Sequence, residues 1–175
     1  MTRSALLLRA VNVSGRNLVP MARLREVLTP ELGEVTTYIA SGNILCEQPD
    51  DPTSARARVR ALIAAEFGVD TPVILRTHDA LARAIEAHPF ADASEKLLHA
   101  MFLEGPASPE AVEPLEQRLV PGERISLIGE DLWIAYSEGG VHSTKLTKAV
   151  LDRALGVAGT ARNRRTVRKL VELTA

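Results

Sequence analysis

The run Glu34-Val35-Thr36-Thr37-Tyr38-Ile39-Ala40-Ser41-Gly42-Asn43-Ile44-Leu45-Cys46-Glu47 decides how the rest of the chain is read. Its first arm, to Ala40, is rich in Val, Thr, Tyr and Ile, whose branched or aromatic side chains suit a pleated, half-buried surface. Ser41-Gly42-Asn43 supplies turn residues and Ile44 to Glu47 returns as a second arm, so the stretch predicts a β-hairpin. Upstream, Ala5 to Val11 is a short apolar run of buried-strand type, followed by the polar loop Asn12 to Asn17. Pro20 suits a first helical turn, and Met21, Leu24, Val27 and Leu28 recur at helical spacing until Thr29-Pro30. Downstream, Asp51-Pro52 couples a capping residue to the proline favoured at the first helical position. Ala55, Val59, Leu62, Ile63 and Phe67 then form one apolar stripe closed by Gly68, and Val73 to Leu75 is a short strand. The resulting order β, α, β, β, α, β is the ferredoxin-like plan.

Thr77 next caps a connecting helix carrying Leu81 and Ile85, which stops at His88-Pro89. The pattern then restarts. Leu97 to Leu103 reads as a strand, and Ser108-Pro109 opens a helix with Val112, Leu115 and Leu119 on one face. Arg124 to Ile128 and Leu132 to Tyr136 are strands joined by Gly129-Glu130-Asp131. Thr144 to Leu155 reads as a helix ended by Gly156, Val157 to Ala161 as a short extended piece, and Asn163 as the cap of a last helix. The expected fold class is α+β, with two tandem ferredoxin-like (βαββαβ-type) units plus a basic C-terminal helix. The expected boundaries are 1–76 for the first unit, 77–96 for the connecting helix and linker, and 97–162 for the second unit. Residues 163–175 then form the C-terminal helix, packed on the core. Within a unit, the helical crossover makes strands one and two run the same way. Asn12 to Asn17 and Ser41 to Asn43 are therefore expected at one end of the sheet.

Composition narrows the possibilities. At 175 residues with 46% hydrophobic side chains, the chain is long and apolar enough for a real core and lies outside the disordered range. Aromatics make up 3%, so that core must be aliphatic. A net charge of -1 argues against indiscriminate coating of nucleic acid, which demands a basic surface. Cys46 is the single cysteine, which excludes an intramolecular disulfide and a Cys-rich zinc cluster; it is expected as a small hydrophobe in a strand. The apolar run within Met1 to Val11 is too short to span a bilayer and lacks a cleavage site of small residues. No membrane association is expected, and the cytoplasm is the expected compartment.

Three stretches together resemble a known family. They are Leu7-Leu8-Arg9-Ala10-Val11-Asn12-Val13-Ser14-Gly15, Thr37-Tyr38-Ile39-Ala40-Ser41-Gly42-Asn43, and Gly159-Thr160-Ala161-Arg162-Asn163 with Thr166-Val167. Their order and spacing are similar to the bacterial family catalogued as domain of unknown function 1697. The resemblance covers nearly the whole chain, and the Thr-Tyr-Ile-x-Ser-Gly-Asn turn is its most specific piece. It implies a duplicated ferredoxin-like α+β fold and brings no established activity with it. Ala10 and Ser14 stand where the family commonly has glycine, Ala40 where it has glutamine, and Arg164 where an aromatic is frequent. A loop that needs glycine-only backbone angles would not tolerate Ala10 and Ser14.

The segment Arg162-Asn163-Arg164-Arg165-Thr166-Val167-Arg168-Lys169 is the most informative chemically. Val167, Leu170, Val171 and Thr174 form a packing face, which leaves Arg164, Arg165, Arg168 and Lys169 largely on other faces. Cations in the first turn of a helix oppose its dipole, at roughly 0.3–1 kcal/mol each when exposed. Carboxylates of a neighbouring element or solvent are the expected compensation, with a bound phosphate or carboxylate as the alternative. Gly139 to Lys145 is a glycine-led loop before a helix, similar in logic to a phosphate cradle but without P-loop spacing; a turn with a Ser or Thr cap is the favoured reading. Arg9, in an otherwise apolar run, must have its charge paired or carried to the sheet end, and a structural ion pair is favoured over a ligand contact.

These features give the expected ligand-binding set: Arg9, Asn12, Ser14, Arg16, Ser41, Asn43, Lys145, Arg162, Asn163 and Arg165. Catalytic residues cannot be named. His78, His88, His99 and His142 show no metal-ligand spacing, and His142-Ser143 has no third partner. No metal or cofactor is expected. The expected function is the binding of an anionic small molecule through polar loops and the basic last helix. Two alternatives stand beside it. One is an RNA- or single-strand-binding module, whose strands would need stacking aromatics where this chain has Leu7, Leu8, Ile44 and Cys46; nucleic acid is accordingly disfavoured as a partner. The other is a metal-independent enzyme of unknown reaction.

Overall fold

In the computed structural model, which describes residues 2–175, the N-terminal apolar run becomes β1 (Arg3–Leu8). Every residue from Ser4 to Leu8 is buried. A strand hidden on both faces reads as a continuous apolar run and not as an alternation. β1 lies between two antiparallel neighbours, β3 (Asn43–Glu47) and β4 (Val73–Thr77), and β2 (Thr36–Tyr38) flanks β3. The strand order is β2-β3-β1-β4. Two helices, α1 (Met21–Leu32) and α2 (Pro52–Phe67), make the crossovers. Leu6, Leu8, Ile44 and Cys46 of the sheet pack with Leu24 and Leu28 of α1 and Val59 and Ile63 of α2. Asp51 caps α2 by accepting from the Ser54 amide at 3.1 Å, and Gly68 closes it in the left-handed region at φ 67.

β4 leads directly into α3 (His78–Ala87), where Thr77 Oγ1 accepts from the Ala80 amide at 3.2 Å. The same plan then recurs. β5 (Leu98–Leu103) is flanked by β7 (Asp131–Ala135) and β8 (Gly159–Asn163), with β6 (Arg124–Ile128) outside β7. The order β6-β7-β5-β8 matches the first sheet position for position. Met101, Leu103, Leu132 and Ile134 pack with Leu115 of α4 (Val112–Glu116) and with Leu151 and Leu155 of α5 (Lys148–Leu155). The last helix is α6 (Arg164–Thr174). Among the described residues the protein is thus a mixed α/β fold of two four-stranded antiparallel sheets and six helices. It divides into two compact units, one running to Leu81 and including Leu170–Ala175, the other spanning Ala82–Lys169. No helix among the described residues is long and apolar enough to cross a membrane.

Several boundaries differ from those expected. β1 stops at Leu8 instead of Val11, because Ala10 and Asn12 turn into the left-handed region at φ 52 and 54. The helix expected from Thr144 begins at Lys148. Thr147 is its cap, accepting from the Val150 amide at 3.3 Å, while Thr144 Oγ1 is engaged by the Leu146 amide at 3.1 Å. α4 is short because its chain tightens at the end: the Arg118 and Leu119 amides donate three residues back, to the Leu115 and Glu116 carbonyls. β8 begins at Gly159, two residues later than expected. A side chain at Gly159 would press on Met101 and Leu103, at 2.8 and 2.9 Å.

Leu6 touches both the sheet partners and the crossover helices, and its exposure is 0%. Leu6→Ala is expected to lower the unfolding free energy by about 2–5 kcal/mol. Leu18→Ala, at a side chain 61% exposed, should change it by less than about 0.5 kcal/mol. Urea denaturation of both variants checks the pair, and equal effects would contradict the placement of β1.

Candidate functional site

In the first unit, the loop after β1 and the turn after β2 do meet, and the side chain of Asn12 joins them. Its Nδ2 donates to the Ala40 carbonyl at 2.7 Å and to the Val19 carbonyl at 2.9 Å, while its Oδ1 accepts from the Val19 amide at 2.7 Å. A second tie runs from the Leu8 amide to the Gly42 carbonyl, at 2.9 Å. Within the loop, the Asn12 amide donates to the Asn17 carbonyl at 3.0 Å, and Asn17 Nδ2 donates to the Ala10 carbonyl at 2.9 Å. Asn43 is fully buried and donates to the Tyr38 carbonyl at 2.9 Å and to Ser41 Oγ at 3.1 Å. The asparagines thus spend their amides on holding the loops.

This shape is backbone-strained. Ala10, Asn12, Ser14 and Asn17 all sit in the left-handed region, at φ between 51 and 54, as does Ile39 at φ 50. Asparagine visits that region readily, whereas alanine, serine and especially a β-branched residue do so at a cost. Gly42 is needed for two reasons: its φ is 85, and a Cβ there would lie 2.7 Å from Leu8 Cβ. Ser14 and Arg16 are exposed beside this framework, as are Val13, Leu18 and Ile39, each the chain neighbour of a residue in the Asn12 network. Arg9 is buried, with its backbone amide and carbonyl both bonded to Thr71 Oγ1, at 3.0 and 2.8 Å.

The second unit holds the remaining expected residues. Lys145 and Arg165 are exposed. Asn163 caps α6, its Oδ1 accepting from the Thr166 amide at 2.8 Å. Arg162 is only 7% exposed, and burial pushes its guanidinium down to about 10. Its Nη1 donates to Thr160 Oγ1 at 2.8 Å and to the Ala161 carbonyl at 2.9 Å. Ala100 is opposite Trp133 on one side and opposite Arg162 on the other, so these three form one row on one sheet face. His88 lies on Trp133 with ring centres 4.6 Å apart. Burial, then the charge of Arg164, lowers the pKa of His88 and favours the neutral ring.

Around the start of α6 the charges are unevenly matched. Glu95 Oε1 stands 2.6 Å from Arg168 Nη1 and 3.8 Å from Arg164 Nε, one carboxylate serving two guanidiniums. The acidic neighbour anticipated for this helix therefore exists. Even so, Arg164 Nε and Nη1 and Nε1 of the fully buried Trp133 are buried without a hydrogen-bond acceptor, while Glu95 Oε1, 3.8 Å from Arg164 Nε, accepts no hydrogen bond itself. Glu95, His88, Trp133 and Arg164 were all absent from the set expected from the sequence, which held Arg162. Of the four, Arg164 carried a signal, as a cation in the first turn of a helix.

Chemically, the two regions offer hydrogen-bond donors and positive charge but little reactivity. Cys46 is free and buried, and burial pushes its thiol up to about 11, far from a reactive thiolate. No group of three or more His, Cys, Asp or Glu suited to a metal ion occurs among the described residues.

A family described as "Protein of unknown function (DUF1697)" matches residues 1–133. The chain belongs to this family. The DUF1697 match takes in both polar loops and stops at Trp133, before α5 and α6. Among solved structures, the chain is similar to the conserved bacterial protein SP0830 from Streptococcus pneumoniae, at 26% identity and a TM-score of 0.77, covering 99% of each chain. No curated protein matches. In this DUF1697 member, alanine and serine stand at left-handed positions of the first loop. Relief of that conformation is worth about 1–2 kcal/mol, offset by about 0.5–1 kcal/mol for the freer unfolded chain. Ala10→Gly is accordingly expected to stabilise the protein by about 0.5–1 kcal/mol. Gly42→Ala should destabilise it by about 2–4 kcal/mol through angle and overlap together. Thermal unfolding of both variants checks this, and a destabilised Ala10→Gly would contradict the loop conformation.

Proposed function

We propose that the protein binds a phosphate- or carboxylate-bearing small molecule in its second unit, at the corner formed by His88, Trp133, Arg162 and Arg164. The observation that carries this reading is the set of buried donors without acceptors, Arg164 Nε and Nη1 and Trp133 Nε1. A buried donor left unpaired costs about 1–3 kcal/mol, more when charged. An anion would satisfy these donors and supply the charge that Glu95 alone must now divide between Arg164 and Arg168. A guanidinium suits such a ligand because its planar fork grips two oxygens at once.

The same reading treats each unit as a ferredoxin-like module and the second as a repeat of the first. Two sheets of identical order, each with helical crossovers at corresponding places, support it. The nucleic-acid alternative is weaker, since Trp133 is fully buried and offers no face to a base. We place the protein in the cytoplasm, where a lone free cysteine is at ease.

Trp133 is the only tryptophan, so its fluorescence reports on the corner directly. Titration with inorganic phosphate and with sulfate is expected to change it saturably. Arg164→Gln should weaken the apparent affinity at least tenfold, roughly 1.4 kcal/mol, while Arg165→Gln at an exposed position leaves it within about twofold. An unchanged emission together with an unchanged melting temperature at saturating anion would sink the proposal.

The pH dependence has a definite sign. In the free protein His88 titrates below its ordinary 6.5. A bound anion raises that value, so binding takes up a proton. Sulfate affinity is expected to rise as pH falls below 6.5, and His88→Gln should flatten the profile. Sulfate is the right probe because it does not titrate in this range.

A further inference from the structure

We propose a second binding site, in the cleft between α4 and α5, for a small carboxylate with a short apolar body. The cleft has a volume of about 540 Å³, within the roughly 300–1,000 Å³ range of small-molecule sites. Its floor is made of short or compact side chains: Pro114 of α4, and Ala149, Val150 and Ala154 of α5. Small residues on facing helices leave the gap that larger ones would fill. The site lies wholly in the second unit and uses none of the residues of the anion corner proposed above.

The polar groups of the cleft define the ligand. Arg118 and Arg153 both line it, with Ser108 and Glu110. Among the described residues neither arginine has an ion pair or a side-chain hydrogen bond. Most of the other arginines are engaged: Arg23, Arg58, Arg60, Arg124 and Arg168, for instance, all pair with carboxylates. Arg153 sits in the last turn of α5, where the helix dipole welcomes a cation, but that does not account for Arg118. Two guanidiniums against the single carboxylate of Glu110 leave the cleft with one positive charge over an apolar floor. That combination fits an acid carrying a short hydrocarbon tail: oxygens on a guanidinium, with Ser108 as a further donor, and the tail against Val150 and Ala154.

The probes are hexanoate, its uncharged analogue hexanamide, and acetate, each titrated into the full-length protein and followed by calorimetry and by backbone amide shifts. Hexanoate is expected to bind and to shift the amides of Arg118, Val150 and Ala154. Hexanamide lacks the charge and acetate lacks the tail, so both should bind at least tenfold more weakly. Arg118→Gln with Arg153→Gln should remove the preference for hexanoate over hexanamide, and Ala154→Trp should block binding by filling the floor. Because both arginines are exposed, the double substitution is expected to lower the melting temperature by no more than about 4 °C, from the lost helix-end charge of Arg153, so the test does not depend on Ala154→Trp folding. Arg164→Gln, which tests the other site, should leave hexanoate binding intact. Hexanoate binding no tighter than acetate, amide shifts centred elsewhere, or a preference unaffected by the double substitution would each overturn the proposal.

Discussion

A central strand has to satisfy an antiparallel neighbour on each edge while both of its faces are buried. β1 and β5 each meet this demand, and little in their units is independent of it. The strand must be largely apolar, and its two partners must be brought back by connections long enough to cross a sheet face. Those connections become the helices whose apolar stripes cover that face. Since each crossover is helical and each hairpin tight, the same strand order appears in both sheets. What is left to vary is the set of loops at the ends of the strands and the residues placed on the other face. There the chemistry gathers.

The electrostatics of α6 show one compensation, and it is partial. Glu95 does neutralise part of the cationic first turn, as a structural explanation requires. It does so incompletely, because it stands close to Arg168 and farther from Arg164, and buried donors remain unpaired. Arg162, in one row with Trp133 across Ala100, adds a guanidinium whose pKa is already depressed by burial. A protein selected for stability alone would replace such a group with a hydrophobe. Its burial in one row with Ala100 and Trp133 is what separates this corner from an ordinary surface ion pair.

Most of the fold was legible because its signals are local. Asp51-Pro52, Thr77, Asn163 and Gly68 act at helix ends within a few residues of themselves, and the Thr36 to Glu47 hairpin is contained in its own turn. The start of α5 was misplaced because Thr144 and Thr147 are equally good caps in sequence, and only the tertiary path of Gly140 to Lys148 chooses between them. The candidate site was less readable. That Asn12 reaches Ala40 follows from topology, but that its amide is consumed in doing so does not. The meeting of His88, Trp133 and Arg164 depends on strand register and on the course of the linker, which no local pattern encodes. Ala10 and Ser14 were misleading in an instructive way. Their lack of glycine argued against left-handed angles, yet both adopt them, Ala10 where Asn17 Nδ2 holds its carbonyl and Ser14 inside the turn closed by the Arg16 amide on the Val13 carbonyl.

That last point separates two properties that usually move together in a loop. Where glycine supplies a bend, the bend and the ease of making it come from one residue, and losing the glycine loses both. Here the contour is set by the amide clamps of Asn12 and Asn17 and by the backbone bond between Arg16 and Val13, whereas the residues at positions 10 and 14 set only how much strain those bonds must hold. Exchanges between glycine and alanine or serine at those two positions can then accumulate as a trim on the folding equilibrium. The surface the loop presents would stay the same from one homologue to the next, even as their melting temperatures drift apart.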